Sequence, residues 1–254
     1  MLLTIDIGNT NITVGAYKGD QLEFVARLAT DSKRTCDQYA IELRDILHIN
    51  KLSTKDISGA VISSVVPAVG SAIKRAIPKI CGIKPIVLGP GVKTGLNIKI
   101  DNPAQLGADL AAGAVAALNK YPLPCIIIDL GTASTISVLN EKGEFVGGVI
   151  AAGAGITLDA LATKTAQLPY INIEAPPSVI GTNTVDCMKS GIVLGTASML
   201  DGMISRIQRE LNSKATVVAT GGVAPDIIPY CETEIVMDEH LVLEGLRIIY
   251  YKNQ

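Results

Sequence analysis

Two segments of the chain carry one short pattern: residues 3–10 read LTIDIGNT and residues 126–134 read IIIDLGTAS. Each is a run rich in Ile or Leu that ends in Asp-x-Gly and continues into small hydroxyl or amide residues. Such a run reads as a buried strand, and the glycine after it lets the backbone turn close to a ligand. Both aspartates are isolated. Asp6 is the only charge before Lys18, and Asp129 the only one between Lys120 and Glu141. A carboxylate at the end of an apolar strand is costly to bury unless it is paired, hydrogen-bonded or beside a cation. Gly8-Asn9-Thr10-Asn11 and Gly131-Thr132-Ala133-Ser134 offer backbone N–H groups and hydroxyl or amide donors, which phosphate oxygens require at close range. The carboxylates repel phosphate, so their chemistry calls for an intervening cation, Mg²⁺ with retained waters. One Asp-x-Gly-x-Thr is a weak signal, because Asp and Gly are common in turns. Its repetition inside matching surroundings carries the phosphate reading.

Three further segments hold candidate chemistry. Residues 102–119, NPAQLGADLAAGAVAALN, read as an Ala-rich helix begun by Pro103, with Asp109 as its sole charge. A surface helix carries several charges, so this one is expected to be buried, with Asp109 either a helix-start acid or a base facing a substrate. Residues 217–222 read as a strand ending in Gly221-Gly222. Residues 147–155 are glycine-rich but lack dinucleotide-binding spacing, and are expected to form a close-packing loop; Asp159 is the only charge between Glu144 and Lys164.

The elements that must position these residues can be read from the surrounding pattern. After the first Asp-x-Gly, residues 12–17 and 21–28 flank a turn at Lys18-Gly19-Asp20, a β-hairpin. After the second, residues 135–139 and 144–151 flank Asn140-Glu141-Lys142-Gly143. Helices are expected at 36–48, 67–80, 157–166, 184–212 and 240–250, and strands at 59–64, 85–88 and 215–219. A three-strand meander followed by alternating helices and strands, occurring twice, gives an α/β fold of duplicated ribonuclease-H-like domains. The actin-like kinase and ATPase superfamily uses that layout, with a nucleotide cleft between the halves. Pro122 and Pro124 place the boundary near residue 120, giving domains 1–119 and 120–254.

Composition narrows the function classes. Hydrophobic residues make up 48% and aromatics 4% with no Trp, so the core is built from aliphatic side chains suited to a covered sheet. The net charge is -2 and the 22 basic residues are dispersed, which gives no nucleic-acid stripe. The five cysteines form no Cys-x-x-Cys pair and read as thiols in a reducing cytoplasm, and the two histidines are too isolated for a zinc site. No apolar run reaches the roughly 20 residues of a membrane span.

The motifs taken together resemble type III pantothenate kinases nearly from end to end. The resemblance rests on Asp6-Ile7-Gly8-Asn9-Thr10, Thr94-Gly95-Leu96, Asp101-Asn102-Pro103, Gly107-Ala108-Asp109, Asp129-Leu130-Gly131-Thr132-Ala133, Gly147-Gly148, Asn183-Thr184, Thr220-Gly221-Gly222 and Leu243-Glu244-Gly245-Leu246. It implies pantothenate and ATP as substrates, a divalent metal such as Mg²⁺, K⁺ or NH₄⁺, and a homodimer. By the family pattern Asp109 is the base for the pantothenate hydroxyl, and Asp129 a ligand of the monovalent cation. Asp6, Ile7, Gly8, Asn9, Thr10, Asn11, Ile12 and Thr13, with Thr132, grip the ATP phosphates, Asp6 reaching the divalent ion through water. Gly221 and Gly222 lie against the adenosine, while Gly107, Ala108, Leu110 and Thr184 face pantothenate.

The chain departs from that pattern on the acceptor side. Leu110 stands where the family reads Arg after Gly-x-Asp, Ala152 where Pro is common, and Thr182 where Lys is frequent. A guanidinium is a natural partner for a substrate carboxylate. Its absence leaves two alternatives beside pantothenate phosphorylation: a kinase of the same fold for another small hydroxyl substrate, and a non-catalytic ATP-binding regulator.

Overall fold

The first apolar run becomes strand β1 (Leu2–Ile7), followed by β2 (Asn11–Lys18) and β3 (Gln21–Ala29) in an antiparallel meander. The structure, a computed structural model, describes residues 1–254. It divides into two units. Met1–Leu96, Asp101–Asn119 and His240–Gln254 form the first; Asn97–Ile100 and Lys120–Glu239 form the second.

In the first unit, β4 (Gly59–Ser64) and β5 (Ile86–Val87) extend the sheet in the order β3-β2-β1-β4-β5, with β4 parallel to β1. Helix α1 (Cys36–Ile49) opens on a capping box: the Gln38 N–H donates to Thr35 Oγ1 at 3.3 Å and the Thr35 N–H donates to Gln38 Oε1 at 2.8 Å. Helix α2 (Pro67–Cys81) begins on Pro67, whose fixed φ suits the first turn, and stops at Gly82 in the left-handed region. These helices cover one sheet face, where Leu3, Ile5, Ile7, Ile12 and Val14 pack with Tyr39, Leu43, Leu47, Ile73 and Ile77. Burying each such side chain contributes roughly 1.5–3 kcal/mol before chain entropy is subtracted. Helix α3 (Ala108–Lys120) lies in the layer on the other face, its residues Ala111 to Ala117 all buried.

The second unit repeats the plan. Strands β7 (Cys125–Leu130), β8 (Ala133–Leu139) and β9 (Glu144–Ala152) form the meander, β10 (Thr216–Thr220) runs parallel to β7, and β11 (Val236–Met237) closes that side. The strand order β9-β8-β7-β10-β11 matches that of the first unit, and β6 (Asn97–Ile98) adds to β9. Helices α4 (Ala154–Lys164), α5 (Thr184–Lys189), α6 (Gly195–Leu211) and α7 (Ala224–Ile227) complete it. Ile126, Ile128, Leu130, Ile136, Leu200, Ile204, Val217 and Ala219 form its core. This is the duplicated ribonuclease-H-like α/β fold expected from the sequence.

Helix α8 (Leu241–Tyr251) overturns part of the expected domain division. The sequence reading gave residues 120–254 to the second half, yet α8 packs in the first unit, where Leu243, Leu246 and Ile249 join Leu2, Val61, Ala111, Ala112 and Val115. The Leu-Glu-Gly-Leu motif has its physical reason here: a Cβ on Gly245 would run into the Ala112 carbonyl, so only glycine lets α8 cross α3 at this distance.

Local differences have equally local causes. The expected helix at 102–119 is broken, because Leu106 is extended (ψ 123) between a one-turn 3₁₀ segment at Pro103–Gln105 and α3. The glycine-rich run at 147–155 is mostly strand, as the hairpin arm expected at 144–151 requires and not the close-packing loop, and α4 starts earlier than expected. The helix expected at 184–212 contains a π segment at Ser190–Leu194 between α5 and α6.

Candidate active site

Residues 8–10 form the tight link between β1 and β2. The Gly8 N–H donates to the Asn11 carbonyl at 2.9 Å, and the Gly8 carbonyl accepts from Thr30 Oγ1 at 2.7 Å. The Thr30 N–H donates to the Thr10 carbonyl at 2.9 Å, so the residue that follows β3 braces the turn. Asn9, Thr10 and Asn11 are exposed, Asp6, Gly8 and Thr13 half-buried. Ile7 and Ile12 are 0% exposed, which leaves only their backbone to meet a ligand. Asp6 points to the face opposite Ile5 and Ile7, and its Oδ1 is shut off from solvent.

The second turn is built the same way. The Gly131 N–H donates to the Ala133 carbonyl at 3.1 Å, and Thr132 is exposed at the tip. Two glycines press on it from elsewhere in the same unit. A Cβ on Gly153, the residue before α4, would meet the Thr132 carbonyl oxygen and lie 2.6 Å from that of Gly131. Gly221 sits at φ +102, and a Cβ there would lie 2.6 Å from Asp129 Oδ1 and from the Leu130 backbone. The Val223 N–H then donates to the Leu130 carbonyl at 3.1 Å. The Thr-Gly-Gly segment is thus held against the Asp129 strand, with Gly222 exposed beside it.

Gly107, Ala108, Asp109 and Leu110 are all half-buried where α3 begins. Asp109 lies in the first helical turn, where the helix dipole favours a negative charge. Its Oδ1 accepts one hydrogen bond, from the Leu110 N–H at 2.8 Å, and it enters no ion pair. The helix-start role and a base role are therefore compatible in the same side chain.

Thr184 opens α5 and is exposed, after Asn183, whose Oδ1 accepts from the Asp186 N–H at 2.9 Å. It lines an open groove of about 630 Å³ with Leu161, Leu168, Thr182, Cys187 and Met188. Three of the thiols are poor nucleophiles: burial pushes Cys125 up to about 12 and Cys231 up to about 11, and Cys81 is raised for the same reason.

Sequence reasoning placed the strands on either side of each aspartate but missed the register that sets Ser63 and Thr135 beside the carboxylates. Asp6 pairs in register with Thr13 and with Ser63, and Asp129 with Thr135 and Thr220. Each carboxylate therefore stands in a cross-strand row between two hydroxyls. The Ser63-Ser64 pair ending an otherwise apolar strand was the one available signal, since a hydroxyl there needs the same explanation as the aspartate.

Against known proteins, the family model for type III pantothenate kinase matches residues 2–206, a span containing both turns, the start of α3 and Thr184. The chain belongs to that family. The type III pantothenate kinase of Moorella thermoacetica is 45% identical over 253 residues, covering 100% of each chain. Among solved structures, a conserved Baf-family protein from Campylobacter jejuni is 19% identical with a TM-score of 0.64, over 99% of this chain and 98% of that one. The activator of 2-hydroxyisocaproyl-CoA dehydratase from Clostridium difficile, solved with bound ADPNP, is 15% identical with a TM-score of 0.58, over 99% and 94%. These two likenesses concern the fold alone. No helix is long and apolar enough to cross a membrane.

Proposed function

We propose that this protein transfers the γ-phosphoryl group of ATP to the hydroxyl of pantothenate, giving 4'-phosphopantothenate, the first step of coenzyme A biosynthesis. The observation that carries the reading is the family match running across both turns together with the half-open Asp109 carboxylate at the start of α3. Asp109 takes the proton of the pantothenate hydroxyl as that oxygen bonds to the γ-phosphorus and the bond to ADP breaks. A positioned carboxylate in that role contributes ~10²–10⁴-fold. Residues 6–13 and Thr132 take the ATP phosphates, Ile7 and Ile12 through their backbone alone. Gly221 and Gly222 take the nucleoside, and Gly107, Ala108, Leu110 and Thr184 take pantothenate.

A divalent ion fits the donors at Asp6. Carboxylate and hydroxyl oxygens are hard ligands, and with no cluster of three or more metal-binding side chains, the remaining positions fall to water and phosphate, as Mg²⁺ prefers. Bound there, it supplies neutralisation of the phosphate charge. Asp129, flanked by Thr135 and Thr220, is assigned to K⁺ or NH₄⁺ on the same oxygen chemistry. A homodimer is supported by exposed apolar residues on the second unit: Ile150 is 76%, Val179 73% and Ile180 81% exposed. The free thiols fit a cytoplasmic setting.

Leu110 favours a second reading, a kinase of the same fold for a hydroxyl substrate without a carboxylate. Steady-state ADP release with pantothenate set against a panel of small alcohols separates the two. Preference for pantothenate supports the first; a preferred substrate lacking the carboxylate supports the second.

A further inference from the structure

Ser63 lies on β4 beside Asp6 on β1, paired with it in parallel register. The two side chains project from one face of the sheet. Ala60 and Ile62 pack with Ile5 and Ile7 in one core layer, which leaves Val61 and Ser63 on the face shared by Leu2 and Asp6. Ser63 is 0% exposed, and its Oγ has no hydrogen-bond partner. Buried hydroxyls nearly always have one, so an orphan here requires a reason. The second unit holds the counterpart: Asp129 pairs in register with Thr135 on β8, and Thr135 Oγ1 is likewise buried without a partner. No other buried hydroxyl in the protein is in this state. The two orphans therefore coincide with the two Asp-x-Gly aspartates, one on the parallel neighbour and one on the antiparallel neighbour. A copied packing accident would have put both on equivalent strands.

We propose that Ser63 and Thr135 are positioning residues for cation binding, each hydroxyl holding a water in the shell of the ion seated at the neighbouring carboxylate. This rests on the assignment of a divalent ion to Asp6 and a monovalent ion to Asp129. A hydroxyl can donate to one oxygen and accept from another, so it fixes a water's orientation where a second carboxylate would add unwanted charge beside phosphate. Outer partners of this kind typically govern metal affinity by about 10- to 100-fold.

The test uses the full chain with Ser63→Ala, Thr135→Val and Thr135→Ser. Mn²⁺ binding in the presence of a non-hydrolysable ATP analogue is titrated by water-proton relaxation, Tl⁺ binding by thallium NMR, and melting is followed without ligands. Ser63→Ala is expected to weaken Mn²⁺ about tenfold. Thr135→Val is expected to weaken Tl⁺ by a similar factor while sparing Mn²⁺, and Thr135→Ser to retain wild-type affinity. The ligand-free melting temperature should hold or rise in Ser63→Ala, because an orphan polar group has been removed from the interior. Unchanged ion affinities, a fall in ligand-free melting temperature with ion binding intact, or a wild-type protein that binds neither ion would overturn the proposal. Pantothenate turnover by the wild type, assayed in parallel, keeps the two readings apart. Variants that lose ion affinity in an enzyme inactive on pantothenate overturn the substrate assignment alone, and normal turnover with unaffected ion binding overturns the positioning role alone.

Discussion

At the scale of single residues, the account depends most on Asp109. Its carboxylate is half-buried, accepts one backbone hydrogen bond and has no ion-pair partner, so lone pairs remain for a substrate proton. Asp109→Asn keeps the shape and removes the basicity. It is expected to lower kcat at least about 100-fold, roughly 2.7 kcal/mol of barrier, with the KM for ATP little changed. Coupled ADP-release kinetics check both. Leu110 is the complementary case. Leu110→Arg restores a guanidinium beside the base, and the KM for pantothenate is expected to fall about tenfold, the worth of one charge-assisted bond. A KM that stays constant would mean that the substrate carboxylate lies elsewhere. These two residues were legible in the sequence because an isolated acid in an Ala-rich helix, and a broken motif beside it, stand out one residue at a time. Ser63 and Thr135 did not stand out, because a lone Ser or Thr in a strand has no meaning until the register sets it beside an aspartate.

At the scale of elements, the turns are shaped by contacts distant in sequence. Gly221 is held at φ +102 against Asp129, where a Cβ has no room. Gly221→Ala therefore displaces either the Thr-Gly-Gly segment or the Asp129 strand end. Nucleotide affinity by calorimetry is expected to fall at least about tenfold, a strain cost of 1–3 kcal/mol being typical. A second element-level prediction concerns the tie between α6 and the segment before β11. Asp201 accepts N–H bonds from Glu232 and Thr233, both at 2.9 Å. Burial alone would raise its pKa, but these bonds outweigh it and leave the carboxyl below the usual range. The charged form is thus favoured in the folded state, so its contribution is present above the ordinary carboxylate pKa and lost as pH falls through the lowered value. Asp201→Asn is expected to lower the melting temperature at pH 7 and to narrow the gap between pH 7 and pH 3; an unaltered gap would contradict the linkage. The hairpins, α1, α2 and β4 could be read from periodicity, caps and turn residues, because their causes are local. The π segment before α6 could not, and the glycine-rich run, which the pattern offers both as a hairpin arm at 144–151 and as a loop, is settled as strand β9 only by packing. Gly148 fits where a Cβ would strike the Ile136 carbonyl on a neighbouring strand, a constraint that no window of sequence contains.

At the scale of the whole molecule, the duplication visible in two Asp-x-Gly motifs is a duplication of entire sheets, with strand orders β3-β2-β1-β4-β5 and β9-β8-β7-β10-β11. The chain does not divide at one point, since α8 returns to the first unit and β6 joins the second. Sequence patterning gave no sign of that exchange, because an amphipathic helix declares that it has an apolar face and not which core receives it. On the proposed reading the copies have diverged in use: one Asp is assigned to the divalent ion, the other to the monovalent ion, and the proton to a helix outside both meanders. That division of labour makes one measurement most direct. Purified wild-type protein is incubated with ATP, Mg²⁺, K⁺ and pantothenate beside Asp109→Asn, and 4'-phosphopantothenate is quantified by mass spectrometry. The account predicts steady product formation by the wild type and at least about 100-fold less by the variant, with both proteins binding ATP equally. Folded wild-type protein that binds ATP and forms no phosphorylated pantothenate, or an Asp109→Asn variant that forms it at the wild-type rate, would contradict it.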